Sequence, residues 1–141
     1  MKKYIFCILI FLCVSICFGQ ERVADYITYL ERPVPEGFQR MNRTTYLDNT
    51  GNIVLSTENN LVKVCAVGAS FKYTNEALEW LAYFYNYFED TRWEFFEEEG
   101  LEIYKKYNVY AIISGAEKRE DGQIVSMVIL TRDLEWLLGN M

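Results

Sequence analysis

The pattern of hydrophobic and polar positions divides the chain into an apolar opening run, a short helix, and strands that flank one long helix. The clearest helical pattern runs from Asn75 to Glu89, where apolar residues occupy about half of the circumference at 100° per residue. Polar residues fill the other half. We therefore predict an amphipathic helix that lies with one face on a sheet. Its apolar face carries Ala77, Leu78, Trp80, Leu81, Phe84, Tyr85 and Phe88.

Strand patterns precede the long helix. Residues 44–47, 53–57 and 61–67 are rich in β-formers and are separated by turn residues, so each is predicted to be a strand. The third run is almost continuously apolar, which favours burial on both sides of a sheet. Upstream, Val23, Tyr26, Ile27 and Leu30 have helical spacing, and Pro33 and Pro35 end this short helix.

Two hairpins are predicted after the long helix. In the first, a three-residue loop with a left-handed Gly100 places Leu101 and Ile103 on the face of Trp93 and Phe95. A helical turn over residues 102–107 is the alternative.

In the second hairpin, residues 109–117 and 123–131 flank Asp121-Gly122, a strong signal for a two-residue loop. Asp133 then caps a short C-terminal helix that Gly139 ends. The fold class is α+β: an antiparallel sheet of about five to seven strands packed on one long helix, with short N- and C-terminal helices. Residues 20–141 are predicted to form one domain, with a helix and proline-containing linker over 20–42 and the sheet-and-helix core over 43–141.

The opening run predicts export. Lys2 and Lys3 precede an apolar stretch from Tyr4 to Phe18, and this order is typical of a signal peptide. The stretch is about 15 residues long, short of the roughly 20 that cross a bilayer. We expect cleavage after Gly19, so that residues 1–19 are the signal and the product is periplasmic, secreted or on the outer surface. Lipidation at Cys17 is a minor alternative.

Processing changes the composition that matters for function. Basic residues fall from 14 to 12 against 20 acidic ones, and the formal net charge moves from −6 to −8. This charge argues against nucleic acid as a partner. Cys65 is the one cysteine that remains, and its apolar neighbours indicate a core residue without thiolate reactivity.

The chemistry of the chain is limited by its lack of histidine. Catalysis by Ser-His-Asp, by Cys-His or at a histidine-bound metal is therefore excluded, and we predict no cofactor and no metal. The plentiful reactive groups are carboxylates around one turn. They form a solvated acidic turn, which is the favoured interpretation, or the acid–base pair of a glycan hydrolase, or oxygen ligands of a hard cation. These residues are Glu94, Glu97, Glu98, Glu99 and Glu102.

The second hairpin has two apolar faces, and one helix covers only one of them. The other face, which holds Tyr110, Ile112, Ser114 and Ala116 opposite Val125, Met127 and Ile129, is covered either by the terminal helices or by a partner or ligand. Tyr83 and Trp136 are further aromatics that suit an interface. The candidate binding residues are Tyr110, Ile112, Met127, Ile129, Tyr83 and Trp136.

These observations favour a noncatalytic extracytoplasmic binding domain that uses an apolar sheet face. Its partner is an unidentified protein or small apolar ligand, and a homo-oligomer is compatible with the same face. The alternatives are a carboxylate-dependent glycan hydrolase and a secreted inhibitor of an external enzyme.

Overall fold

The computed structural model describes residues 23–141, which form an eight-stranded antiparallel sheet with three helices. The predicted signal peptide, residues 1–19, lies outside the described residues. Within the described chain, no helix has both the length and the apolar character needed to cross a bilayer. The strands are β1 (Gln39–Arg40), β2 (Thr45–Leu47), β3 (Ile53–Glu58), β4 (Leu61–Phe71), β5 (Glu94–Glu98), β6 (Leu101–Lys106), β7 (Val109–Lys118) and β8 (Ile124–Thr131), and the helices are α1 (Val23–Ile27), α2 (Thr74–Asp90) and α3 (Leu134–Gly139).

The strands lie in the order β1-β2-β3-β4-β8-β7-β6-β5. The first four follow one another along the chain, and α2 then carries the chain to the far edge of the sheet. From that edge, β5 to β8 return strand by strand until β8 pairs with β4. The α+β class and the antiparallel sheet are confirmed. The sheet has eight strands, and the predicted range of five to seven is wrong because β1, two exposed polar residues, has no apolar alternation to reveal it.

One face of the sheet, here called the first face, is covered by α2 and α1. Phe84 and Phe88 of α2 are fully buried there. The Phe88 ring stacks on Tyr104 at 5.0 Å between centroids and meets Trp93 edge-on at 4.8 Å. Aromatic contacts of this kind add ~0.5–1.5 kcal/mol to the burial of the rings. They fasten the C-terminal half of α2 to β6.

The opposite face, here called the second face, is covered in part by α3. The Asp133 carboxylate accepts a hydrogen bond from the Trp136 backbone N–H at 3.0 Å, which is the predicted N-cap. Leu137 is fully buried against Ile112, Ile129 and neighbouring side chains of the sheet. The short C-terminal helix therefore packs onto the surplus apolar face of the β7–β8 hairpin.

The loop predicted between β5 and β6 is wrong by one residue. Glu98 pairs with Leu101, which leaves the two-residue turn Glu99-Gly100, with φ of 53° and 78°. Both residues are left-handed, as a type I′ turn requires, so Glu99 adopts a conformation that residues other than glycine enter only rarely. As a result Ile103 pairs with Phe96 and lies on the second face, away from Trp93. The alternative helical turn over residues 102–107 is also wrong, because β6 occupies it.

The β7–β8 connection is longer than predicted. The Arg119 N–H donates to the Gln123 carbonyl, and the three-residue loop between them ends in left-handed Gly122. A register shift between Ser114 and Glu117 then adds a second irregularity. The extra loop residue and the register shift compensate for each other, so residues 110–114 lie on the predicted faces. Ala116 lies between the two irregularities and packs on the first face, so its predicted place on the second face is wrong.

Candidate binding site

The six candidate residues divide into one group of five and one outlier. Ile112, Met127 and Ile129 lie together on the second face and are almost fully buried. Tyr110 and Trp136 are partly buried and pack against the same cluster. Tyr83 belongs to α2 on the other side of the sheet, where its 39% exposed ring packs edge-on against Phe84.

A groove opens on the side of α3 that carries Trp136, and we call it the Trp136 groove. Its volume is about 630 Å³, within the ~300–1,000 Å³ of small-molecule sites. Three parts of the chain build it: the loop between β1 and β2, the turn between β3 and β4, and α3. Every lining residue except Trp136 has a polar or charged side chain, and the lining consists of Asn42, Arg43, Thr44, Thr57, Glu58, Asn59, Asn60, Trp136 and Asn140.

Trp136 is fixed in this groove at three points. Its backbone N–H is held by the Asp133 cap, and its carbonyl accepts from the Asn140 side-chain amide at 2.7 Å. Its indole N–H donates to the Glu58 carboxylate at the end of β3. This last bond joins α3 to the sheet and sets the plane of the ring. The side chain is therefore held in place before any ligand arrives.

The β3–β4 turn supplies two amides. Asn59 and Asn60 have φ of 55° and 65°, the left-handed pair of a type I′ turn, and asparagine enters this region more readily than most residues. A register shift between Ser56 and Thr57 precedes the turn. Bulges of this kind bend the strand locally, and the turn that follows lies beside α3 in the groove lining.

The loop between β1 and β2 is stiffened by its own hydrogen bonds. The Arg40 guanidinium donates to the carbonyls of Asn42 and Arg43, at 3.0 and 3.4 Å. The Asn42 side-chain oxygen accepts from the Thr44 N–H at 3.0 Å. The Thr44 carbonyl in turn accepts the Thr57 N–H at 2.8 Å. The β1–β2 loop is thus tied to the end of β3, just before the Asn59-Asn60 turn.

Three side chains of the groove have unused hydrogen-bonding capacity. Over residues 23–141, the Arg43 guanidinium and the Asn59 and Asn60 amides make no side-chain hydrogen bond or ion pair, and all three residues are exposed. They are free to bind a molecule that enters beside Trp136.

A smaller groove, which we call the Tyr110 groove, lies on the opposite flank of α3. Its volume is about 440 Å³, and the Lys105 ammonium lies 5.5 Å from the centre of the Tyr110 ring. Its walls combine apolar and acidic groups: Glu98, Glu99, Tyr110, Leu134, Glu135, Leu138 and Gly139. The C-terminal helix is therefore flanked by one neutral, amide-rich groove and one acidic groove.

The acidic turn of the sequence forms the β5–β6 hairpin, and its five glutamates are all exposed. Glu97 and Glu102 lie opposite each other across the hairpin. Glu102 accepts a 2.7 Å hydrogen bond from the Tyr85 hydroxyl of α2. Burial raises the pKa of Tyr85, and the hydrogen bond to Glu102 and its negative charge raise that pKa further.

Other reactive groups are few in the described part of the chain. No cluster of three or more aspartate, glutamate or cysteine side chains suited to a metal ion occurs there. Cys65 is a free thiol buried in β4, and burial raises its pKa well above the ordinary value. The thiol therefore stays protonated and packs as a core side chain.

Sequence reasoning named Trp136 but missed the rest of its groove. Asn59 and Asn60 carried only a turn signal, Asn42 and Arg43 had no periodic pattern, and Thr44 was predicted only as the start of a strand. Their proximity depends on β1, the β3–β4 bulge and the direction of α3, none of which leaves a mark in the sequence. No protein-family model, no curated protein and no solved structure matches this chain.

Proposed function

We propose that this protein is a noncatalytic, extracytoplasmic binding domain whose ligand site is the Trp136 groove. The observation that carries the proposal is a held indole beside side chains with unused hydrogen-bonding capacity. Sites for small ligands combine an apolar or aromatic surface with a few placed polar groups, and this groove has both. Binding orders few side chains of the groove, because Trp136 is already fixed by Glu58 and Asp133, so the entropic cost of binding is small.

The apolar sheet face contributes to this function indirectly. Ile112, Met127 and Ile129 are covered, so a ligand contacts them only if α3 moves away. In the proposal these residues anchor α3, and α3 presents Trp136 to the groove. Tyr110 forms the corresponding wall of the second groove, and Tyr83 has no part in either.

Hydrolysis of a glycan by the acidic hairpin remains the alternative. It requires two carboxyl groups about 5 Å apart, or about 6.5–9.5 Å apart, on either side of a bound sugar. The glutamates of the hairpin are exposed at an edge of the sheet, and Glu98 and Glu99 line the smaller Tyr110 groove. Within the part of the chain that the structure describes, that groove has no side chain fixed at three points as Trp136 is in the larger groove, which none of these glutamates lines. Binding is therefore the better-supported function.

The proposal is tested with protein purified from the extracytoplasmic fraction, in which intact mass reports whether residues 1–19 have been removed. The indole N–H signals of ¹⁵N-labelled protein are followed while a small-molecule extract of the cell envelope is added. We expect the Trp136 signal to shift while those of Trp80 and Trp93, in the other layer, stay fixed.

A matched pair of variants sharpens this experiment. Trp136→Ala should abolish the response, and Tyr83→Ala, which removes an exposed aromatic on the far side of the sheet, should leave it unchanged. An unaltered Trp136 signal, or equal shifts at all three indoles, would contradict the proposed site. A retained leader in cytosolic material would contradict the extracytoplasmic location.

A further inference from the structure

We propose that the ligand of the Trp136 groove is a saccharide, held by its hydroxyl groups on the asparagines and by its ring on the indole. This inference rests on the proposed function and names the chemical class of its ligand. Its basis is the donor and acceptor chemistry of the groove walls.

The polar walls match the hydroxyl groups of a sugar. An asparagine side chain offers two N–H donors and one carbonyl acceptor, and a sugar hydroxyl both donates and accepts. Four asparagines line the groove: Asn42, Asn59, Asn60 and Asn140. Asn59 and Asn60 follow one another in one turn and both line the groove, and in the proposal they bind hydroxyls of the same ring.

The indole supplies the apolar half of the recognition. The one polar atom of the Trp136 side chain is already bonded to Glu58, so its ring carbons are what it offers a ligand. One side of a pyranose ring presents C–H groups, which pack on a flat aromatic surface. A sugar therefore satisfies the amides and the indole together.

Other ligand classes fit the groove less well. A lipid or apolar molecule would bury the amides without hydrogen-bond partners, and each such group costs about 1–3 kcal/mol. A phosphate-bearing ligand would find Arg43 as the one cation of the lining, with the Glu58 carboxylate in the same groove. The acidic chain as a whole repels polyanions as well. A neutral polyhydroxy ligand avoids these penalties.

The test titrates the same extracytoplasmic protein with four soluble saccharides: cellobiose, maltose, N,N′-diacetylchitobiose and a muramic-acid disaccharide from peptidoglycan. The last two represent cell-wall amino sugars, and the first two represent neutral glucans, so the arms distinguish the sources. We expect saturable shifts of the Trp136 indole signal with at least one of them.

The decisive variant removes the amides and keeps the turn. In the double variant Asn59→Gly/Asn60→Gly, glycine adopts both positive φ values without strain, so the fold is retained. We expect at least tenfold weaker binding. Glu99→Gly makes the same kind of change in the left-handed turn of β5–β6, away from the groove, and should bind as the parent does.

The outcomes separate the two proposals. If the envelope extract shifts the Trp136 signal while none of the four saccharides does so at 10 mM, the binding site stands and the saccharide assignment is overturned. Saccharide binding that survives the double glycine variant also overturns it. If neither the extract nor the saccharides affect Trp136, both proposals fail.

Discussion

The two faces of the sheet are covered in different ways. On the first face, the 17-residue α2 lies over the strands with α1 beside it, and aromatic rings fill the space between the layers. On the second face, the described cover is α3, a helix of six residues with one fully buried side chain. Both grooves flank α3. The two described grooves therefore lie on the face that the long helix α2 does not cover.

Helices α2 and α3 nevertheless share one feature. Each is tied to the sheet by an aromatic donor and a glutamate acceptor: Tyr85 to Glu102 for α2, and Trp136 to Glu58 for α3. The difference lies in what else holds the helix. α2 has three fully buried side chains, Ala77, Phe84 and Phe88. Helices as short as α3 are not stable alone, so α3 depends on Leu137, its cap and the Glu58 bond.

The largest effect is expected from truncating the first face. Phe88→Ala removes a ring that contacts both Trp93 and Tyr104, and the cavity left behind should lower the free energy of unfolding by about 3–5 kcal/mol. Urea denaturation measures it. Leu78→Ala, at a 54% exposed position of the same helix, is the control and should change stability by less than about 0.5 kcal/mol. Similar losses in both variants would show that the first face is not the stabilising core.

On the second face, Leu137→Ala should lower the free energy of unfolding by about 2–3 kcal/mol, which is less than the effect of Phe88→Ala. Its effect on local opening should be larger. Because Leu137 is the fully buried anchor of α3, its truncation should release the helix from the sheet. Native-state hydrogen exchange checks this: the backbone amides of positions 137 and 140 should exchange much faster than in the parent, while those of α2 keep their protection.

Glu135→Ala is the matched control for that experiment, since Glu135 is exposed on the same helix and alanine favours helix formation. Its exchange pattern should equal that of the parent protein. Equal acceleration of α2 and α3 in Leu137→Ala would mean that the two faces open together, and the contrast between them would be lost.

The hairpins show how far the sequence determines this fold. Residue patterns located β5, β6, β7 and β8 and the capped α3. The predicted loop lengths were wrong in both hairpins. Between β5 and β6, Glu99 is left-handed together with Gly100, which makes a two-residue turn in place of the three-residue loop. Between β7 and β8, Gly122 closes a three-residue loop in place of the two-residue one. In β7–β8, the bulge between Ser114 and Glu117 shifts the register by one more residue, so the side chains before it return to their predicted faces. The β5–β6 pairing has no such shift, so Ile103 lies on the face opposite to the predicted one.

The candidate site was predictable only in part. The surplus apolar face and Trp136 followed from periodicity, since side chains alternate along a strand and recur every 3.6 residues on a helix. The groove depends on how three separate segments meet beside α3. A turn such as Asn59-Asn60 has the same sequence whether it lies in open solvent or beside an indole, and only the packing of α3 decides between these situations.

The smallest effect is expected from removing the hydrogen bond that joins Tyr85 to Glu102 or the one that joins Trp136 to Glu58, and their pH dependence distinguishes the two. Tyr85→Phe should cost about 0.5–1 kcal/mol at pH 7 by removing the bond to Glu102. The folded pKa of Tyr85 is raised above the ordinary 10.0, so above about pH 10 the unfolded chain loses this proton while the folded protein keeps it. The parent is therefore stabilised by the neutral hydroxyl below that pH and loses the contribution as pH rises.

In urea denaturation between about pH 8 and 11, the difference in unfolding free energy between the parent and Tyr85→Phe should shrink. Trp136→Phe removes a donor that does not titrate, so the stability that it loses should be the same across this pH range. If the stability curves of the parent and of Tyr85→Phe stayed parallel over the range, the raised pKa of Tyr85 would be contradicted.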